Sequence, residues 1–300
     1  MHVVERDQFV FSFSSNHAPV LTVQSGDRVV LRTNDCFSGQ IRGDQDLVTS
    51  IDYGKINPAT GPIFVEGALP GDVLRAEIIR ISLDAQGVIT TLPDIGTLIH
   101  HSEIRSKTVQ IKEGRRVQFS EKIQFECTPM VGVIGVAPPG GEVACGHPGQ
   151  HGGNLDSSCI AEGSSVYLPV FVPGALFGLG DLHASMGDGE MCGTGVEIAG
   201  EVEIRLTVLK GEQLAAPVVE TKDSWYAVSS DHDVMAAIRK TSEDMQNMIV
   251  QRWELTPTDA YLLMGAVGDV QMSQCCKPCP VETVVRVRVP KLEGMPDLLK

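Results

Sequence analysis

Residues 132–198 read GVIGVAPPGGEVACGHPGQHGGNLDSSCIAEGSSVYLPVFVPGALFGLGDLHASMGDGEMCGTGVEI. The stretch combines three histidines, several acids and many glycines with two short apolar runs, at 166–172 and 175–179. Buried polar groups need partners and glycine loses much backbone entropy on folding, so this composition is costly for a segment that only packs. The stretch therefore predicts an active site built between strands.

Charged residues two apart occur twice near the end of this stretch. Asp181 and His183 form one pair, and Asp188 and Glu190 form the other. In an extended chain this spacing places both members of a pair on one face. The turn at 184–187 is short and flexible, so we expect it to bring the two pairs together.

A cluster of one imidazole and up to three carboxylates repels itself unless a carboxyl keeps a proton or a cation lies between the groups. A divalent metal ion is the simpler solution, because zinc accepts imidazole nitrogen and carboxylate oxygen as ligands. The alternative is a solvated turn or a calcium loop, which the GDG and DGE triplets also fit.

A second arm precedes these pairs at 151–156, where the sequence reads HGGNLD. Gly152 and Gly153 permit close approach of the backbone, and Asp156 adds a carboxylate. His151 adds an imidazole that titrates near neutral pH. We interpret the arm as part of the same site, with chance proximity as the alternative.

Two motifs nearer the N-terminus supply further candidates. Residues 34–41 read NDCFSGQI, where Asp35 is a candidate ligand or the cap of its own turn, and Cys36 suggests a nucleophilic thiol. Residues 57–68 read NPATGPIFVEGA, a short apolar strand that ends at Glu66. Partial burial there would raise the pKa of Glu66 toward neutrality, as proton transfer requires, whereas the alternative is an exposed strand-end glutamate.

Composition excludes several classes of protein. The chain has 300 residues, 42% of them hydrophobic and 21% charged, which suits one large β-rich globular domain or two domains. The net charge of −14 without a basic run argues against a nucleic-acid partner. No secretory signal or run of ~20 apolar residues is visible, so we expect a cytoplasmic protein with no membrane partner.

The eight cysteines are expected to be reduced thiols in that compartment. Cys275, Cys276 and Cys279 form a CCxxC cluster before Pro280. A structural zinc site usually takes four ligands, and no second such pair is visible. We therefore expect a packed turn of free thiols.

Periodicity outside the central stretch predicts strands followed by helices. Short alternating runs at 9–13, 20–23 and 28–33 indicate hairpin strands, and Glu197–Leu209 indicates a strand with one solvated face and no chemistry. Apolar spacing at 231–250 and the Thr-Pro start at 256–264 predict two helices, and 283–289 predicts a closing strand.

Four long motifs together resemble the acetamidase/formamidase family. They are NDCFSGQI at 34–41, NPATGPIFVEGALPGD at 57–72, HGGNLD at 151–156, and YLPVFVPGALFGLGDLHASMGDGEMCGTGVEIAGEVEI at 167–204. The family hydrolyses short aliphatic amides to the carboxylic acid and ammonia, so the resemblance implies a small neutral amide as substrate. The resemblance also favours a homodimer or homotetramer, and such oligomers are common among soluble enzymes.

The resemblance strengthens a specific fold within the mostly β class that periodicity predicts. We expect a mainly β protein, with a jelly-roll-like β-sandwich at 1–225 that carries the active site. A smaller C-terminal α+β lobe at 226–300 would hold two helices and a closing strand.

The mechanism that we infer from the residues uses a divalent metal ion, Zn²⁺ first, with Ca²⁺ or Mn²⁺ as alternatives. The predicted ligands are Asp35, Asp181, His183 and Glu190, with Asp156 and Asp188 in reserve. Glu66 is the predicted base, and the residues expected near the substrate or its oxyanion are His151, Gly152, Gly153 and Gly187.

Two alternatives belong to other classes. A thiol-dependent amidase would use Cys36 with Glu66 as base and would be insensitive to chelators. A non-catalytic metal-binding β-sandwich would hold its ion in the 187–190 turn. Candidate acids in three separate motifs disfavour the second, since a binding module needs only one loop.

Overall fold

The computed structural model describes residues 1–300 and is built mostly of strands. The strands are β1 (His2–Val4), β2 (Phe9–Val10), β3 (Ser12–Ser14), β4 (Leu21–Val23), β5 (Arg28–Thr33), β6 (Ala59–Val65), β7 (Val73–Thr90), β8 (Ser106–Lys112), β9 (Arg116–Gln118), β10 (Gln124–Glu126), β11 (Met130–Gly135), β12 (Glu142–Ala144), β13 (Pro148–Gly149), β14 (Gly152–Asn154), β15 (Ser165–Pro169), β16 (Phe177–His183), β17 (Glu197–Leu209), β18 (Val218–Glu220), β19 (Ser224–Asp231), β20 (Asp269–Gln274) and β21 (Thr283–Pro290). The helices are α1 (Val234–Trp253) and α2 (Pro257–Val267), with single 3₁₀ turns at Val48–Ser50, Tyr53–Lys55 and Ile99–His101. The predicted mainly β class with two C-terminal helices is confirmed.

Nineteen strands belong to one large curled sheet, while β3 and β12 form a separate pair. Its pairings are antiparallel except for β1 with β5 and β4 with β6. The long strands β7 and β17 pair along most of their length, and β17 also pairs with β5. Because many strands have partners on both sides, few backbone groups are left at free edges.

The main core follows from the alternation along these strands. In β7, Leu74, Ala76 and Ile78 are buried, whereas Arg75 and Glu77 point to the other face. On that face Arg205 Nη1 donates to Glu77 Oε2 at 2.8 Å, so the two long strands also carry a cross-strand ion pair.

The C-terminal helices cover the end of the sheet formed by β19 and β21. Asp233 caps the N-terminus of α1, where its side chain accepts from the Ala236 N–H, and Thr256 caps α2, whose first residue is Pro257. Neither helix combines the length and apolar character needed to cross a membrane. Strand β19 crosses the predicted boundary at 225/226, and that division stays a prediction.

Strand β16 lies among the elements that position the polar cluster described below. It pairs with β11, β6 and β17, and it ends in Asp181 and His183. Residues just before β6, just after β14 and at the start of β17 therefore meet at the end of this strand. The site lies where several strand ends converge.

Candidate active site

Five ionisable side chains meet at the end of β16, and all are nearly inaccessible to solvent: Asp156, Asp181, His183, Glu190 and Glu197. Possible ligand atoms of Asp156, His183 and Glu190 all lie within 4.8 Å of one another, as do those of Cys36, Asp181 and Glu197. His183 belongs to the first group and also contacts the second, because its Nε2 lies 3.0 Å from Glu197 Oε2 and 3.7 Å from Asp181 Oδ1.

The backbone is strained around this cluster. Four residues adopt left-handed conformations: Asn57 (φ 51°), Asp156 (φ 39°), Asp181 (φ 55°) and Glu190 (φ 45°). Such conformations are uncommon outside glycine and cost roughly 1–3 kcal/mol where the surrounding structure must impose them. Four such residues around one cluster indicate that the fold tolerates a loss of stability in order to point these side chains inward.

Neutral donors fix the carboxylates. Asn57 Nδ2 donates to Asp181 Oδ2 at 2.9 Å, and the Gly195 N–H donates to Glu197 Oε1 at 2.8 Å. Gln274 Nε2 donates to Asp156 Oδ2 and, at 3.3 Å, to Glu190 Oε2. These bonds orient the acids without neutralising their charge.

Several buried oxygens in the cluster have no hydrogen-bond donor. They are Asp156 Oδ1, Asp181 Oδ1 and Glu197 Oε2, the last of which contacts His183 without hydrogen-bond geometry. Unpaired buried carboxylate oxygens are costly unless a cation compensates them. Oxygen and imidazole donors facing one centre fit a divalent metal ion.

Burial and mutual repulsion shift the titration of these groups. Burial raises the pKa of Asp156 to about 6, and it raises the pKa of Asp181 and of Glu190 well above the usual range, where neighbouring carboxylates add to the effect. Burial lowers the pKa of His183, but the carboxylates around it outweigh burial and raise it overall. The protein alone therefore cannot hold all four acids ionised.

A cavity of about 390 Å³ opens beside the cluster. Its polar wall is formed by Asn57, Asn154, Asp156, Asp181, Glu190, Glu197 and Gln274. Its other residues include Phe11, Cys36, Phe37, Tyr53, Leu92, Ile95, Cys276 and Cys279. A small ligand with one polar end fits such a chamber.

The structure brings together four of the residues that the sequence proposed for the site, namely Asp156, Asp181, His183 and Glu190. It places Asp188 elsewhere, where Arg286 Nη2 donates to it at 2.6 Å and Ser158 Oγ at 2.7 Å. The two-residue spacing rule needs an extended chain, but Gly189 and Glu190 are both left-handed, so Asp188 and Glu190 diverge.

Asp35 and Glu66 also lie outside the cluster. Asp35 accepts from the backbone N–H groups of Phe37 and Gly39, so it caps the turn that carries Cys36. Glu66 is exposed and accepts a hydrogen bond from Gln24. The expected partial burial of Glu66 is wrong, because the strand before it turns that residue outward.

The predicted oxyanion residues serve backbone packing or lie elsewhere. Gly152 and Gly153 have φ of 94° and 83°, and an added Cβ would lie 2.2 Å from Ile134 O and 2.1 Å from His147 O respectively. His151 is buried edge-on against Phe13, and burial lowers its pKa to about 4. Gly187 lines a neighbouring cavity of about 560 Å³.

Replacing Gly152 with Ala is expected to destabilise the protein well beyond the cost of a left-handed alanine. Gly163 is the matched control, because its φ is 83° and an added Cβ would meet nothing within 4 Å. Overpacking costs about 1–3 kcal/mol, so we expect that difference between the two variants in urea unfolding. Equal losses would contradict the packing role of Gly152.

Sequence reasoning missed Glu197, Asn57 and Gln274. Glu197 is the first residue of β17 and lies on the face that carries Glu201 and Glu203 toward solvent, so periodicity predicts a solvated residue there. At this end of the strand the loop that carries Cys36 covers that face. The only sequence signal for a role of Glu197 in the site is its position directly after Gly195–Val196.

Removing the Gln274 donor is expected to weaken metal binding. Gln274→Leu keeps a side chain of similar size but deletes the bonds to Asp156 and Glu190. Loss of an outer partner of a metal site typically costs about 10–100-fold in metal affinity. Competition with a chelator measures this, and unchanged affinity in Gln274→Leu with the fold retained would show that the two bonds are dispensable.

A sequence profile described as the Acetamidase/Formamidase family matches residues 13–143 and 142–275, which is most of the chain. The chain belongs to this family. The resemblance inferred from the four motifs is confirmed. Among solved structures, an acetamidase from Bacillus halodurans is 39% identical with a TM-score of 0.92, covering 96% of this chain and 97% of that one. A predicted acetamidase/formamidase from Thermoanaerobacter tengcongensis is 42% identical with a TM-score of 0.93, covering 96% and 95%.

Curated relatives carry both names of the family. A formamidase of Methylophilus methylotrophus is 27% identical over 64% of this chain and 61% of its own length. An acetamidase of Mycolicibacterium smegmatis is 23% identical over 87% of this chain and 86% of its own length. The chain thus spans about three fifths of the formamidase that it matches.

Proposed function

We propose that this protein hydrolyses short aliphatic amides to a carboxylate and ammonia in the cavity beside Asp181. The observation that carries the proposal is the buried set of four carboxylates and one imidazole, with unpaired oxygens, at the wall of a chamber of about 390 Å³. Relatives named formamidase and acetamidase support the same chemistry.

Asp156, His183 and Glu190 are the residues that would hold a divalent metal ion. Their donor set favours Zn²⁺, with Mn²⁺ or Ca²⁺ as alternatives. When bound, such an ion polarises a carbonyl group and lowers the pKa of water.

Asp181 is placed to accept the proton of the attacking water. Asn57 occupies its Oδ2, while Oδ1 stays unpaired at the cavity wall. Transfer of that proton to the departing nitrogen would complete the release of ammonia. This role replaces the one first assigned to Glu66.

Two amide side chains of the wall are suited to bind the substrate. Gln274 directs its nitrogen toward Asp156, and both Asn154 Oδ1 and Gln274 Oε1 are buried without donors. The NH₂ group of a primary amide supplies two donors, so it would pair with acceptors of this kind. An ester of the same shape would leave them unpaired.

The thiol alternative fits the geometry less well. Burial raises the pKa of the Cys36 thiol well above its usual range, and the charges of Glu197 and Asp181 raise it further. Formation of the nucleophilic thiolate is therefore opposed at this position. Water rather than Cys36 is the proposed nucleophile.

The test is ammonia release from formamide, acetamide and propionamide by purified protein, before and after chelation and with single metals added back. We expect release that chelation abolishes and one metal restores. Ammonia release that survives complete removal of metal, verified by elemental analysis, would support a mechanism with Cys36 as the nucleophile. No release from any amide would favour a non-catalytic metal-binding protein.

A further inference from the structure

Two thiols face each other in the wall of the same cavity. Cys276 Sγ lies 3.6 Å from Cys279 Sγ, and both residues line the chamber beside Glu190. Cys276 is buried, whereas Cys279 is partly exposed. Neither residue belongs to the proposed metal ligands, so the hydrolysis does not account for their proximity.

The segment that carries these thiols is tied to the site through its backbone. It follows Gln274, which donates to Asp156 and Glu190. The Cys275 N–H donates to Gly189 O at 2.9 Å, and the Gly96 N–H donates to Cys276 O at 2.7 Å. A change in the shape of this turn would therefore move groups that orient the metal ligands.

We propose that Cys276 and Cys279 are a redox-modification site that hydrogen peroxide converts to a disulfide, and that this bond lowers the activity of the adjacent site. The partly exposed Cys279 sulfur attacks a peroxide oxygen, releases water and becomes a sulfenic acid. The Cys276 sulfur then attacks the Cys279 sulfur and displaces a second water as the S–S bond forms. Two thiols are oxidised and one hydrogen peroxide is reduced to two waters.

Bond formation must shorten the separation of the sulfurs from 3.6 Å to about 2.0 Å. That contraction falls on the cavity wall next to Gln274. Because misplacement of a site group by about 1 Å can cost about a hundredfold in rate, we expect a reversible loss of about tenfold to a hundredfold.

The modification is tested on full-length, metal-loaded, reduced protein treated with hydrogen peroxide, alkylated and mapped by peptide mass spectrometry. We expect the peptide containing both residues to lose two hydrogen atoms in the wild type and in Cys275→Ser, but not in Cys276→Ser or Cys279→Ser. A thiol reductant should reverse the change. A bond to Cys275, or over-oxidation without any disulfide, would overturn the proposal.

The effect on activity rests on the proposed function and is measured separately. Peroxide should lower amide hydrolysis reversibly in the wild type and in Cys275→Ser, and it should not do so in Cys279→Ser. A disulfide that forms without change in rate would refute the link to the site. If the reduced protein releases no ammonia, the proposed hydrolysis is refuted. The mass measurement would still show whether Cys276 and Cys279 form a disulfide.

Discussion

Asp181→Asn is expected to lower turnover by about 10²–10⁴-fold while the protein keeps its metal, because the variant loses a proton acceptor and little else. Asparagine tolerates the left-handed backbone at this position and can still accept the bond from Asn57. The measurement is kcat for ammonia release together with metal content by elemental analysis.

Two variants serve as controls for Asp181→Asn. His183→Ala should lose metal and activity together, since it deletes the only imidazole among the candidate ligands. Glu66→Gln should keep both, because Glu66 is exposed and bonded to Gln24. If Asp181→Asn loses as much metal as His183→Ala, Asp181 is a ligand and the base lies elsewhere.

The second large expected effect is a substitution that changes the free energy of unfolding in opposite directions with and without metal. Asp156→Asn should stabilise the metal-free protein near pH 8 and destabilise the metal-loaded protein relative to the wild type. The pKa of Asp156 is raised to about 6 in the folded chain, so its ionisation above that pH favours the unfolded chain. A neutral amide removes that penalty, which is worth about 1–3 kcal/mol, but it also removes a ligand.

Urea unfolding with and without chelator measures both halves of this prediction. Glu66→Gln is the control, since it removes an acid far from the cluster and should leave the response to chelator unchanged. Equal losses of stability on chelation in the wild type and Asp156→Asn would show that Asp156 is not a ligand, and no loss in either would show that the cluster binds no stabilising ion. The left-handed backbone at residue 156 is compatible with asparagine, so strain should not mask the effect.

The proposed assembly as a homodimer or homotetramer and the proposed cytoplasmic location stay predictions. Zinc likewise stays the proposed metal, and the imidazole and carboxylate donors of the cluster support its choice.

The sequence by itself determined the class of fold and the identity of part of the site. Alternation in β17, apolar spacing in α1 and the Thr256–Pro257 start are local signals, and local hydrogen bonding and burial follow them directly. The long motifs also sufficed to identify the family. Asp181 and His183 are close in sequence and end one strand, so their proximity was accessible without coordinates.

Only the tertiary structure decided which other residues join them. Asn57, Glu197 and Gln274 reach the site from segments far apart in the chain, and whether the first residue of β17 is solvated depends on a distant loop that covers it. Conversely, left-handed turns at Gly189 and Glu190 separate Asp188 from its neighbour, and an outward strand end exposes Glu66. Periodicity assigns a side chain to one face of its own element, but burial depends on what packs against that face.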